Sequence, residues 1–228
     1  MMKKIISISI ASVLTLYVAA ISWPQWYFQH HLVRGPITLH SASPIDERYL
    51  TVVDKAIERL KTSALHDPAL RFNVHLCNDR SAYAFFAPTA RDAFAATYPL
   101  MQNIFVNVHD AGRNEVYRPS AEFNVRSLSG TIAHEFTHVM LEDELGPLRY
   151  KFLPLWKKEG YCDHVASESS IGTEEGVIAY CNGTLEHEYF RGRLRVEEFL
   201  RNGTTEQLLT SRIDGAQLDE ALKERLCR

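Results

Sequence analysis

The sequence has no excess of charge of either sign. Its 25 lysines and arginines are interleaved with 28 aspartates and glutamates, which gives a formal net charge of −3. A nucleic-acid-binding domain usually carries a basic patch or stripe that contacts phosphates. We therefore expect no nucleic-acid partner. The chain also lacks internal repeats and low-complexity tracts, and its 228 residues are enough for one medium domain with a hydrophobic core.

Charge is missing altogether from a run near the N-terminus. Residues 5–22 contain no charged side chain, and they follow Lys3 and Lys4. A positive start followed by an uncharged run is typical of a secretory signal or of a membrane anchor. In both cases residues 1–28 form this leader, and residues 29–228 form a single exported domain. The expected location is the bacterial cell envelope, or the exterior if the leader is cleaved.

The choice between signal and anchor depends on what surrounds the run. Val18-Ala19-Ala20 supplies small residues at which a signal peptide could be cleaved. The 18 residues of the run also approach the length that crosses a bilayer. Trp23, Trp26 and Tyr27 follow it, as in an interfacial aromatic belt. We favour the anchor, through which the uncleaved protein would bind a membrane, and keep cleavage as the alternative.

The central motif of the chain lies in an apolar stretch that is predicted to be a helix. Ser127 is the predicted N-cap of this helix, and Gly146-Pro147 is its predicted end. The motif is His-Glu-x-x-His, formed by His134, Glu135 and His138. Two histidines four residues apart share one face of a helix, where both rings can bind one metal ion. Glu135 leaves the helix about 100° further round. That position suits a general base for a metal-activated water.

A third histidine is absent at the spacing used by one group of zinc hydrolases. Such a site would need a glycine at position 141 and a histidine at position 144, where this chain has Leu141 and Glu144. A zinc hydrolase still needs a third protein ligand. Glu159 can supply it from a following helix, because twenty residues separate it from His138. Asp163 lies one turn beyond Glu159 and could accept the free ring N–H of a liganding histidine.

Over residues 128–166 the chain resembles the gluzincin zinc metallopeptidases, the thermolysin-like and aminopeptidase-like group. The resemblance rests on His134-Glu135-Phe136-Thr137-His138, on Trp156-Lys157-Lys158-Glu159-Gly160, which is similar to the small peptidase-MA-like branch, and on Asp163. It implies that His134, His138 and Glu159 bind one Zn²⁺ and that Glu135 is the general base. Asp163 matches the acid found four residues after the ligand Glu in thermolysin-like enzymes.

The family resemblance also implies a substrate-binding edge strand and an oxyanion-stabilising side chain. We place the edge strand at residues 103–108, with Asn103, Phe105 and Asn107 as substrate-binding residues. Tyr189 is the candidate donor to the oxyanion, with Tyr161 and Tyr180 as alternatives. The chain has no Gly-Ala-Met-Glu-Asn stretch of the aminopeptidase type. This absence argues against an aminopeptidase and favours an endopeptidase.

The order of predicted elements indicates an α+β domain. A small mixed sheet is expected to pack on the motif helix and to precede a mostly helical C-terminal part. The predicted elements are strands at 36–39, 70–76 and 103–108, helices starting at 43, 79, 127, 154, 185 and 214, and loops at 30–35 and 109–122.

The four cysteines of an exported domain are expected to form disulfides. They are Cys77, Cys162, Cys181 and Cys227, and three pairings are possible. We favour Cys162 with Cys181, which would close a short loop beside the proposed site. The alternative is that some of them are buried thiols.

The leading functional hypothesis is an exported, membrane-tethered zinc endopeptidase that acts on peptides or proteins. A second hypothesis is a peptidase-like fold without activity, used as a binding or envelope assembly module. The intact Glu135 argues against it, because a binding module needs no general base. A third is a zinc hydrolase whose substrate is not a protein.

Overall fold

The computed structural model describes residues 12–13, 15–119 and 125–227. The first part of the predicted anchor, residues 5–11, lies outside the described residues, as does part of the predicted loop at 109–122. Residues 15–22 are helical and lead into a 3₁₀ turn at Pro24–Trp26. Within the described part of the chain, no helix has both the length and the apolar character needed to cross a membrane.

The main sheet is mixed, as predicted, and has five strands. They are β1 (His30–Arg34), β2 (Ile37–Ser41), β3 (Phe72–Leu76), β4 (Ala95–Tyr98) and β5 (Asn103–Val106). Their order is β1-β2-β3-β5-β4, with parallel pairing among β2, β3 and β5 and antiparallel pairing at both edges. The predicted loop at 30–35 is instead strand β1, which turns at Gly35 (φ +56°) to pair with β2.

The position of β5 differs from the predicted substrate-binding edge strand at residues 103–108. It lies between β3 and β4, and all four of its residues are buried, so residues 103–106 are not at an edge. The edge is β4, which the sequence analysis did not predict. The strand from Ala95 to Tyr98 has too few large apolar side chains to produce a strand pattern.

A second sheet replaces the predicted polar loop. It contains β6 (His109–Asp110), β7 (Glu115–Tyr117) and β8 (Val125–Ser127), paired in that order and antiparallel. Strand β8 passes directly into the motif helix. Ser127 caps that helix as predicted, because its side chain accepts a hydrogen bond from the N–H of Gly130.

The helices are α1 (Arg48–Leu60), α2 (Arg80–Phe86), α3 (Leu128–Lys151), α4 (Leu155–Ala166), α5 (Thr173–Cys181), α6 (Glu188–Leu200), α7 (Thr205–Thr210) and α8 (Gly215–Leu226). The predicted helix start at Ser43 is wrong, since α1 begins at Arg48 and Asp46 accepts from its N–H. Asp79 caps α2 and Asp214 caps α8. The C-terminal part is helical, as predicted.

Helix α3 lies at the centre of the molecule. Every residue from Leu128 to Leu141 is buried, between the sheet and α1 on one side and α4 on the other. Gly146 breaks the helical path (φ +74°), but the chain resumes helical geometry from Pro147 to Lys151. The predicted end at Gly146-Pro147 is therefore a kink, and the last turn of α3 runs in a new direction.

The disulfide joins Cys181, at the end of α5, to Cys227, just after α8. The favoured pairing of Cys162 with Cys181 is therefore wrong. Cys162 points from α4 into the core, and Cys77 follows β3, so both are buried free thiols. The bridge therefore links α5 to α8.

Candidate metal centre

Helix α3 brings the two motif histidines onto one face. The ring centroids of His134 and His138 are 4.9 Å apart and nearly perpendicular. The start of the helix is fixed by Ser127 and by Asn114, whose side-chain oxygen accepts from the N–H of Ser129. This capping sets the register in which both rings point towards α4.

Glu159 of α4 reaches both histidines. Its Oε2 is 3.3 Å from Nε2 of His134 and 3.4 Å from Nε2 of His138. Ligand atoms bound tetrahedrally to one zinc ion at about 2.0–2.1 Å are separated from one another by roughly 3.3 Å. The three atoms therefore converge with the spacing of a metal-ligand set.

Asp163 holds His134 from the opposite side of the ring. Its Oδ1 lies 2.8 Å from Nδ1 of His134 and 3.0 Å from a guanidinium nitrogen of Arg126, while Ser169 donates to Oδ2 at 2.5 Å. With Nδ1 occupied by Asp163, Nε2 of His134 faces Glu159. Burial lowers the pKa of His134, but the hydrogen bonds to Asp163 and Glu159 outweigh it and raise that pKa to about 10.

His138 has two further neighbours that the sequence analysis did not connect with it. The hydroxyl of Tyr150 is 3.0 Å from its Nδ1, and Sγ of Cys162 is 3.3 Å from the same atom. Tyr150 belongs to the last turn of α3, which only the kink at Gly146 brings back to the site. Neither contact has a local sequence signal.

Two donor sets therefore surround His138. His134, His138 and Cys162 form a buried group whose ligand atoms all lie within 4.8 Å of one another, so they could hold a metal ion. Glu159 and Cys162 approach His138 through different ring nitrogens, so the two sets are alternatives. Burial, and then the nearby carboxylates, raise the pKa of the Cys162 thiol. This favours the protonated thiol, which is the weaker ligand.

The charges at the site fit a divalent cation. Glu135, Glu159 and Asp163 are each at most 9% exposed, and the buried guanidinium of Arg126 pairs with Asp163. With both histidines neutral, as they must be to bind a metal ion, this group carries a formal charge of −2. Uncompensated buried charge is strongly unfavourable. A divalent ion at the converging ligand atoms would neutralise the group.

Glu135 is held by the edge strand. The hydroxyl of Thr97, on β4, donates to Oε2 of Glu135 and lies 3.3 Å from its backbone oxygen. The contact ties the sheet edge to the motif helix. The short strand around Thr97 gave no sequence pattern, so this residue could not be singled out earlier.

A cleft of about 1020 Å³ opens onto the site. Its walls include β4, the start of α6 and the side chains of His134, Glu135, His138 and Glu159. Tyr189 lines the cleft, and its ring lies nearly parallel to that of His134 with centroids 6.5 Å apart. Burial, and then the neighbouring carboxylates, raise the pKa of Tyr189, so its hydroxyl stays protonated.

The other predicted site residues face elsewhere. The hydroxyl of Tyr161 pairs with Ser63, and that of Tyr180 contacts Asp219. The proposed substrate-binding residues are turned into the core. Asn103 pairs with His75, Phe105 stacks on Phe86, and Asn107 donates to the backbone of Ala93. The prediction that residues 103–108 form an edge strand is therefore wrong, because β5 is an inner strand, and Asn103, Phe105 and Asn107 are not among the residues that line the cleft.

No protein-family model matches the chain, and no curated protein matches it. The functional argument consequently depends on the geometry of the site.

Proposed function

We propose that the protein is a zinc-dependent metallopeptidase whose ion is held by His134, His138 and Glu159. The convergence of their three ligand atoms, with separations of 3.3 and 3.4 Å, carries the proposal. When bound, zinc supplies Lewis-acid chemistry that lowers the pKa of a water molecule and polarises a carbonyl group. Asp163 fixes the orientation of His134.

Glu135 is the proposed general base. It lines the cleft beside the ligands, where its carboxylate can accept a proton from water and pass it to the leaving amine. Thr97 restricts the carboxylate by donating to Oε2. Tyr189 is the proposed donor to the developing oxyanion, because its protonated hydroxyl belongs to the cleft wall.

The edge of the sheet supplies a place for an extended peptide. Strand β4 borders the cleft, and among the described strands it pairs with β5 alone, so its other edge is open. An exposed strand edge can bind a peptide through backbone hydrogen bonds. A peptide bound along this strand extends to both sides of the cleaved bond, as an endopeptidase requires.

Metal analysis and a peptide-library cleavage assay test this function on the full chain. We expect one zinc per chain, and cleavage that a chelator abolishes. Glu135→Gln should keep the zinc and lose activity by about 10²- to 10⁴-fold, the usual effect of a general base. Glu144→Gln, an exposed acid on the same helix, is the matched control and should behave as the wild type.

Two further variants separate the donor sets. Glu159→Gln should lose zinc, whereas Cys162→Ser should retain it, because Glu159 and not Cys162 faces both Nε2 atoms. The reverse result would assign the ion to the cysteine set. Stoichiometric zinc without cleavage of any peptide would contradict the peptidase and favour a binding module.

A further inference from the structure

Large apolar side chains are exposed along the N-terminal segment and on the part of the body that it touches. They form what we call the N-terminal apolar surface: Val13, Leu16, Trp23, Trp26, Phe85 and Met101, each between 37% and 70% exposed. Isolated exposed apolar residues are normal, but several large ones on one segment and at its points of attachment favour an interaction site.

Contacts attach the N-terminal segment to the body of the protein at Phe85 and Met101. The hydroxyl of Tyr17 donates to the backbone oxygen of Phe85 at 2.6 Å, and the two rings meet edge to face at 5.3 Å. Ser22 contacts the sulfur of Met101 at 3.7 Å. Trp26 lies 6.5 Å from the ring of Phe85. The N-terminal segment is thus attached to the body at α2 and at the 3₁₀ turn Pro99–Met101.

The same two attachment points border the cleft. Phe85 is near the end of α2, and Pro88, three residues later, lines the cleft. Met101 closes the 3₁₀ turn that follows β4, and Pro99 of that turn also lines the cleft. The N-terminal apolar surface therefore adjoins the end of the cleft formed by the edge strand.

The composition of the chain indicates what covers this surface. From Ser22 back to Ile5 the sequence is uncharged, and Lys3 and Lys4 precede that run. The two exposed tryptophans follow it directly. Tryptophan is enriched where a membrane meets water, because its ring is apolar and its N–H is polar. These features match the chemistry of a lipid surface better than that of a second protein chain.

We propose that the N-terminal apolar surface lies in the interface of a lipid bilayer and holds the end of the cleft beside the membrane. If the cleft is held there, the proposed peptidase function implies a substrate class, and this part of the proposal rests on that function. The substrates are polypeptides whose cleaved bond lies close to the membrane surface.

Fluorescent labels on the full chain test the membrane contact directly. Cys77 and Cys162 are buried and the other two cysteines form the disulfide, so an added exposed cysteine can be labelled selectively. Phe85→Cys and Met101→Cys would carry an environment-sensitive NBD label. Phe152→Cys, at a position 74% exposed on the turn after α3, is the matched control.

With phosphatidylcholine vesicles, labels at positions 85 and 101 should shift their emission to the blue and be quenched by spin-labelled lipid. The label at position 152 should keep the emission it has in water. No shift at 85 and 101 would overturn the proposal, as would an equal shift at all three positions. A shift without vesicles that grows with protein concentration would assign the surface to a second copy of the chain.

A cleavage assay tests the substrate class. Two lipid-anchored peptides with the same cleavable sequence would differ in spacer, about 5 residues against about 30. We expect the peptide with the short spacer to be cleaved about tenfold faster. Its cleavable sequence stays near the membrane, where its effective concentration at the cleft is higher. Phe85→Ser/Met101→Ser should lose this preference and keep the activity on a soluble peptide.

Equal cleavage of both anchored peptides would contradict the substrate class. If the wild type fails to cleave the soluble peptide as well, the proposed peptidase function is at fault, and the label experiment still decides the membrane contact.

Discussion

Several side chains around the site form hydrogen bonds that fix the orientation of a proposed metal ligand or of the proposed base. Asp163 orients His134, and Arg126 and Ser169 hold Asp163. Thr97 does the same for Glu135. Such supporting hydrogen bonds determine whether a ligand or base keeps its working geometry, because side chains without them populate several rotamers.

Thr97 offers the clearest test of this support. Thr97→Val keeps the shape of the side chain and removes the hydroxyl that donates to Glu135. A hydrogen bond to a charged group is worth about 1.5–3 kcal/mol, so we expect kcat/KM to fall about 10- to 100-fold. The zinc content should not change, because the lost hydrogen bond is to Glu135 and not to any of the three proposed ligands.

Thr97→Ser is the control, since it retains the hydroxyl and should retain most of the activity. If the valine variant is as active as the wild type, Glu135 does not depend on Thr97. If serine and valine lose activity equally, the methyl group and its packing matter rather than the hydrogen bond.

At the scale of elements, the position of Glu159 depends on how closely α4 approaches α6. Gly160 of α4 faces Gly192 of α6, and a Cβ built on Gly160 would lie 2.4 Å from the backbone carbon and oxygen of Gly192. Backbone cannot yield as a flexible side chain can. The crossing therefore requires glycine at position 160, directly after the proposed ligand Glu159.

Gly160→Ala should separate the two helices and move Glu159 with α4. Overpacking of this kind destabilises by about 1–3 kcal/mol or more, and we expect the loss of bound zinc as well. Gly172→Ala is the control, because a Cβ there meets nothing within 4 Å, and its stability should change by less than about 1 kcal/mol. Chemical denaturation and metal analysis of both variants make the comparison. A stable alanine variant at position 160 with full zinc would refute the close-crossing argument.

The elements that the sequence predicted are those with strong local signals. Helix α3 has a capping serine and an apolar frame, α4 follows a proline, and α8 follows a capping aspartate. The sequence did not predict β4, β1 or the second sheet. Strands of two to five residues with small or polar side chains are stabilised by their neighbours in the sheet, and no window of sequence contains those neighbours.

The same distinction holds within the site. His134, His138, Glu159 and Asp163 recur at helical spacing, so the sequence could place them on two facing helices. Tyr150 could not be found in this way, since it reaches His138 only through the kink at Gly146. Thr97 comes from a strand that reaches the site through tertiary packing, and Arg126 contacts Asp163 across 37 residues of chain.

For the molecule as a whole, the two faces of the sheet have different chemistry. The face towards α3 is aliphatic and aromatic, as in the contact of Phe72 with Phe136. The other face carries a row of His31, His40, His75 and Phe105 across four paired strands. His75 stacks between His40 and Phe105, with ring centroids 4.8 and 4.9 Å away. Its Nε2 pairs with the side-chain oxygen of Asn103 at 3.1 Å.

This row should make the whole molecule sensitive to acid. Burial, and then the neighbouring His40, lower the pKa of His75 from 6.5 to about 3. Between those values the unfolded chain binds more protons than the folded chain, so stability falls as the pH falls from about 6.5 towards 3. Well above pH 6.5 His75 is neutral in both states and contributes no pH dependence. The full loss from this residue is about 4–5 kcal/mol.

His75→Phe removes the titrating group and keeps an aromatic ring in an aromatic environment. Its free energy of unfolding should therefore fall less steeply between pH 6.5 and 4 than that of the wild type, as measured by urea denaturation at each pH. Comparing slopes rather than absolute stabilities separates this effect from the loss of the contact with Asn103, which does not depend on pH in this range. His66→Phe is the matched control, because His66 lies in the turn after α1, outside the row. If the wild type and His75→Phe have the same slope, His75 is not the source of the acid sensitivity.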